Sequence, residues 1–131
     1  MDDKLREFLE KNHSAVMATI KPDGQPHVAR VGVGLVDGKL WSSGTRTRMR
    51  TKYLRKDNRS TLMVLDSSNR QHWLGLETTV DILEDNPADD NLALYRVLAG
   101  EPDDLQEYRE AMVKEQRLIF QFNIHRSYGQ F

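Results

Sequence analysis

Seven of the fifteen residues from Thr45 to Arg59 are basic and only one, Asp57, is acidic. The cations are Arg46, Arg48, Arg50, Lys52, Arg55, Lys56 and Arg59, with hydroxyls interleaved at Thr45, Thr47 and Thr51 and two more just upstream at Ser42 and Ser43. The 131-residue chain carries a net charge of -1, so this concentration of cations is local. Guanidinium, ammonium and hydroxyl groups together form the donor set that a phosphate requires. Three readings are open: a solvated basic face, a nucleic-acid track, or a phosphate site. The nucleic-acid reading lacks aromatic interleaving beyond Tyr53, and a pI near 6.4 argues against it. The phosphate reading fits best, provided the segment enters a short helix near Arg48. The helix start would add backbone N–H groups and the positive end of the dipole. In that reading Thr47 is the N-cap, Leu54 faces inward and Asp57-Asn58 ends the helix.

Other chemistry finds little support. His13, His27, His72 and His125 are not paired at metal-ligand spacing, and there is no cysteine, so no metal site is expected. The chain contains no G-x-S-x-G elbow, no G-x-G-x-x-G and no Walker motif. The acidic group Glu84-Asp85…Asp89-Asp90 reads as helix capping rather than a carboxylate pair. No side chain declares itself as a catalytic acid or base. His27 opens a strand that could pass a ligand, and Trp73 is either core or a cover for a flat ring.

The elements that must position these residues follow from periodicity. Asp2 or Asp3 caps a short helix with Leu5, Phe8 and Leu9 on one face. Strands are expected at residues 14–21, 26–36, 39–43, 61–66, 71–83 and 117–124, with Pro22-Asp23-Gly24 and Asp37-Gly38 as turns. Asn86-Pro87 ends the fifth strand. A helix starting at Asp89 or Asp90 runs to Ala99, with Leu92, Tyr95, Leu98 and Ala99 inward and Gly100 at its end; Pro102 opens another, to about Glu115. Six mostly hairpin-connected strands with accessory helices suggest an antiparallel barrel, mostly β in class, in a single domain over residues 1–131. No apolar run approaches membrane-spanning length and the start has no apolar signal core, which leads us to expect a cytoplasmic protein with no membrane partner. Charge is uneven: residues 1–76 hold fourteen Lys/Arg against eight Asp/Glu, whereas residues 77–131 hold five against twelve. Two solvated faces of opposite sign, head-to-tail attraction, or an anionic ligand on the first half would each account for it.

Taken in order, the strand Ala-Thr-Ile-Lys, the turn Asp-Gly-Gln-Pro, the strand His-Val-Ala-Arg-Val, the segment Thr-Arg-Met-Arg-Thr-Lys-Tyr-Leu-Arg-Lys-Asp-Asn-Arg, then Trp-Leu-Gly-Leu-Glu and Ala-Leu-Tyr-Arg-Val-Leu-Ala-Gly-Glu form a set. It resembles the flavin and deazaflavin oxidoreductases of the pyridoxamine-phosphate-oxidase-like split-barrel superfamily, in particular the branch that uses the deazaflavin coenzyme F420 and includes biliverdin-reductase-like members. The resemblance implies an FMN-binding type of split β-barrel, a homodimer with two cofactor sites at the subunit interface, and a small-molecule substrate. By the same resemblance Arg48, Arg50 and Thr51 match phosphate-binding positions, with Met49 between them and Lys52 adjacent. Ser43 matches the strand position before that loop; His27, Val28 and Arg30 match the strand along the ring system; Trp73 matches a position that reaches the partner's site. Two positions depart from the pattern: Arg50 stands where many relatives have Lys, and Thr78 where the pattern often has Gly. The implied activity is hydride transfer from reduced F420 to a quinone-, enone- or biliverdin-like substrate. The alternatives are the same fold holding FMN as an oxidase or reductase, and a non-catalytic cofactor-binding protein.

Overall fold

A computed structural model describes all 131 residues. Helix α1 (Asp3–Lys11) starts where the Asp2 carboxylate accepts the Leu5 amide at 2.7 Å, and it turns Leu5, Phe8 and Leu9 into the core. Strand β1 (Ser14–Ile20) pairs antiparallel with β2 (Pro26–Gly32). After Val33 the chain continues as β3 (Gly34–Val36) and turns at Asp37-Gly38, where both residues have positive φ, into β4 (Lys39–Thr45). Helix α2 (Met49–Lys56) leads to β5 (Arg59–Leu65) and the long β6 (Trp73–Leu83). Helices α3 (Pro87–Ala99) and α4 (Leu105–Lys114) precede the closing strand β7 (Arg117–Gln130).

The strand count is therefore seven, not six. The stretch expected as one strand over 26–36 breaks at Val33, because its two halves pair with different neighbours. β2 runs in register with β1 up to Gly32↔Ser14, and β3 takes up β4 from Gly34↔Trp41. Val33 itself bonds to neither strand but to His13: its amide donates to the His13 carbonyl at 2.8 Å and its carbonyl lies 3.0 Å from the His13 Nδ1. Gly34 is needed there, because a Cβ would come within 3.0–3.4 Å of Val97, Leu98 and Leu94 on α3.

The sheet order is β2-β1-β5-β6-β7-β4-β3, antiparallel throughout. Its two edge strands, β2 and β3, are joined by one residue, so the sheet has to curl back on itself. The seam carries no ladder; the Ser42 hydroxyl donates to the Gly32 carbonyl across it at 2.7 Å. This is the split barrel. Side chains pointing inward from β1, β2, β4, β5, β6 and β7, together with Val33, α1 and Leu54 of α2, form one core of seventeen buried residues, among them Met17, Leu62, Leu76, Leu118 and Phe120, with Leu35 of β3 packed against it. A second, smaller cluster of Val36, Leu94 and Ile119 lies outside the barrel, where α3 covers the β3-β4-β7 side with Trp41 and Leu83 at its margin.

Three other expectations change. α3 starts two residues earlier than Asp89, with Pro87 at its first position, and it buries Asn91, Leu92 and Leu94 while Leu98 and Ala99 stay exposed. The contact with β3 and β7, not the helix's own apolar stripe, selects its inner face. α4 is capped by Asp104, whose carboxylate accepts the Glu107 amide at 3.1 Å, and so begins beyond Pro102. β7 runs six residues past Ile124, alongside the first half of β6, with a bulge between Glu77 and Thr78.

The remaining outer face, over β2-β1-β5-β6-β7, is covered by nothing. Register sorts it into rows: Arg30–Val16–Met63–Gly75–Tyr128, then Val28–Ala18–Thr61–Glu77–Arg126 on one side and Ser14–Leu65–Trp73–Gln130 on the other. Met63, on the interior strand β5, is 40% exposed, and Val28 and Tyr128 on the flanking strands are 64% and 37% exposed, so an apolar face is left open to solvent.

Candidate functional site

The end of β4 and the start of α2 build the cation cluster. β4 pairs with β7 as far as Thr45↔Arg117, and the Arg46 amide extends the pairing by donating to the Gln116 carbonyl at 3.1 Å. The chain then turns into α2. The turn is fastened by Thr51, which is fully buried and donates its hydroxyl to the Thr45 carbonyl at 2.6 Å. Thr47 is not the cap. Arg48 occupies that position in extended conformation and no side chain caps the helix. The first helical amides, those of Met49 and Arg50, have no acceptor inside the helix and are free for an external one.

Arg50 is the decisive residue. It is half-buried, and its Nε is enclosed without any hydrogen-bond partner. Burial lowers its pKa, and the neighbouring charges of Arg48 and Arg117 lower it further. Arg50 thus carries its charge beside two others of the same sign, of which only Arg117 has a counter-ion, Glu115. An anion placed among them would satisfy the orphaned N–H and relieve the repulsion, so the residues present fit a phosphate.

Glu84 divides the other cations of the segment. Its carboxylate accepts two hydrogen bonds from Arg55, at 2.6 and 3.3 Å, and pairs with Arg46 at 3.3 Å. These bonds, Arg55 first, hold the Glu84 carboxyl below its ordinary range. Glu84 is therefore a counter-ion to the basic segment and not a helix cap. Arg59 is held by Asp57. Arg48, Lys52 and Lys56 make no ion pair, and their spacing of four residues sets them along one side of α2 at roughly 6 Å intervals.

The other residues singled out from the sequence are dispersed. His27 points into the barrel end, its ring edge-on to Tyr53 of α2 at 5.6 Å between centroids, and its Nδ1 is buried without a partner. Val28 and Arg30 point the other way, onto the uncovered outer face, where Arg30 donates to the Ser14 hydroxyl at 3.1 Å. Trp73 lies on that same outer face but three strands from β2, roughly 14 Å at ordinary strand spacing. Ser43 lies beneath α3, donating to Asn91 Oδ1. The single chain brings together Arg48, Met49, Arg50, Thr51 and Lys52, places His27 against the same helix, and leaves Val28, Arg30, Trp73 and Ser43 apart. Thr78, where a glycine was the alternative, is buried, and its hydroxyl donates to the Ser60 carbonyl at 2.7 Å. Arg117 was not singled out from the sequence. It reaches the cluster through the β4–β7 ladder, a partner sixty-seven positions away from Arg50, and no local pattern marks it.

A family model described as pyridoxamine 5'-phosphate oxidase matches residues 1–131. The chain belongs to this family. The chain is 29% identical over 128 residues to an F420H(2)-dependent biliverdin reductase of Mycobacterium tuberculosis, covering 98% of this chain and 86% of that protein. Two solved structures carry the fold over nearly the full length. One is a conserved hypothetical protein of Mycobacterium tuberculosis, Rv2991, with a TM-score of 0.81, 21% identity, and 97% and 82% of the two chains covered. The other is an F420 reductase with a TM-score of 0.80 and 20% identity, covering 99% of this chain and all of that one. In this family member no helix is long and apolar enough to cross a membrane.

Proposed function

We propose that this protein is an oxidoreductase that holds the phosphate of the deazaflavin coenzyme F420 at the start of α2 and reduces a conjugated organic substrate. The observation that carries the reading is the buried, unpartnered Nε of Arg50 between Arg48 and Arg117. The family membership and the F420-dependent relative support the choice of cofactor. When bound, reduced F420 supplies a hydride. The chain's own residues do the rest. Arg48 and Arg50 grip the phosphate with the Met49 and Arg50 amides, Thr51 keeps the turn rigid from below, and Lys52 and Lys56 continue the positive potential along the helix. The basic track for an anionic tail is shorter than the sequence suggests, because Glu84 occupies Arg46 and Arg55.

The cation cluster and the outer face become one site in a homodimer. The uncovered rows of Val16, Ala18, Val28, Met63, Leu65, Trp73 and Tyr128 form the apolar surface that a second copy would bury, and the partner's sheet would wall off the cleft beside Val28 and Arg30 from water. Arg30 would then supply a positive charge to that cleft. His27, pointing into the barrel, acts only through Tyr53 or water.

FMN is the second reading. A single phosphomonoester is satisfied by Arg48, Arg50 and two amides, without Lys52 or Lys56. Absorbance titration of the purified protein with F420 and with FMN distinguishes the two. Tighter F420 binding that strengthens with tail length is expected. Tighter FMN binding with no effect of tail length would move the protein to the flavin reading, and binding of neither would overturn both.

A further inference from the structure

A separate cavity of about 320 Å³ lies between α3, α4 and the β4–β7 ladder, a size typical of small-ligand pockets. Its construction is specific. On its floor the Ser43 hydroxyl donates to Asn91 Oδ1, the Asn91 Nδ2 donates to the Pro87 carbonyl at 2.8 Å, and the Tyr108 hydroxyl donates to the Asn91 carbonyl at 3.0 Å. These polar groups satisfy one another, so the floor is closed and rigid. The walls are apolar. Tyr95 and Tyr108 hold their rings 4.9 Å apart at 54°, and Leu98 and Met112 complete the lining. Leu98 stays 36% exposed although the two helices pack on each other elsewhere, so the protein itself does not fill this space.

One charge faces the cavity with a replaceable partner. Arg117 is bonded only to Glu115, two residues away, at 2.8 and 3.0 Å, and the Glu115 side chain is 44% exposed. A surface ion pair of that kind is weak, and another carboxylate can take its place with no change in charge balance. Arg48 and Arg50 lie outside the lining, so the cavity shares Arg117 alone with the phosphate cluster and opens on its other side, under α3 and α4.

We propose that this cavity binds a planar, ring-bearing carboxylate, whose carboxylate displaces Glu115 from Arg117 and whose ring lies against Tyr95, Tyr108 and Met112. A guanidinium at the mouth of an aromatic slot recognises both halves of such a molecule, by charge-assisted hydrogen bonds at one end and ring packing at the other.

Calorimetric titration with 2-naphthoate, and with neutral 2-naphthamide as control, tests it. The naphthoate should bind the wild type at least about tenfold more tightly than the amide, as expected for a charge-assisted contact. Arg117→Met should abolish that preference, and Glu115→Gln should strengthen naphthoate binding by removing the internal competitor. Leu98→Trp should narrow the slot and weaken both probes together. Amide shifts on titration should centre on Ser43, Leu98 and Met112. An Arg48→Ala/Arg50→Ala double variant should bind naphthoate like wild type while losing phosphate ligands, which separates this site from the one proposed above. Absence of naphthoate binding up to millimolar concentration, equal binding by Arg117→Met, or shifts centred on α2 would overturn the proposal.

Discussion

Replacing Arg50 by Met should move function and stability in opposite directions. The Met side chain keeps the apolar stem and removes the guanidinium. In the free protein that guanidinium makes no bond through its buried Nε and sits beside two like charges, so nothing it holds together is lost. Its pKa is depressed in the fold, which means that at neutral pH the charged form opposes folding. Half of the group is still solvated, so the effect is modest, from zero to about 1 kcal/mol in favour of the variant. For a chain of this length that corresponds to a rise of up to about 4 °C in Tm. With ligand the sign reverses. Each charge-assisted hydrogen bond to a phosphate is worth about 1.5–3 kcal/mol, so loss of the guanidinium should raise Kd about 10- to 150-fold. Thermal melts with and without F420, beside a direct titration, read both quantities in one preparation. A variant that melts several degrees lower yet binds the cofactor like wild type would refute the reasoning, because Arg50 would then be a structural residue with a satisfied charge.

Three further outcomes follow from the geometry. Glu84→Gln should cost up to about 1 kcal/mol at neutral pH. Because the Glu84 carboxyl is held low, that difference is present above its unfolded value near 4.5 and vanishes as pH falls through its lower folded value, which denaturation curves from pH 3 to 7 would trace. Thr51→Val should destabilise by about 1–3 kcal/mol, since the buried Thr45 carbonyl loses its donor; a urea midpoint equal to wild type would count against the fastening role. Met63→Asp, at the centre of the uncovered face, should yield a folded monomer by sedimentation, whereas an unchanged dimer would place the interface elsewhere.

Local signals carried most of the fold. The Asp2 cap, the Asp37-Gly38 turn and the period-two alternation of the strands are each written within a few residues. What stayed hidden depends on partners far along the chain. Nothing around Val33 announces that the strand changes neighbours there, because the reason lies in His13 and in α3. Glu84 reads like a helix-capping acid until the fold sets it against Arg46 and Arg55. The site was half legible: the basic segment and its helix were, but Arg117 was not. Period two also set His27 apart from Val28 and Arg30. A shared segment does not mean a shared face. In the single chain those residues do not meet on one surface.

The position of β7 has a consequence for synthesis. Without it the remaining six strands form two ribbons, β2-β1-β5-β6 and β4-β3, that share no ladder and are joined only by the chain, at Val33 and through α2. A nascent chain therefore carries an unfinished barrel until β7 has emerged and paired with both β6 and β4. The β6 edge is open to other chains throughout that interval, and the cation cluster lacks Arg117. A cofactor can thus help only after β7 has paired, as a clamp on the finished barrel rather than as a template for its assembly.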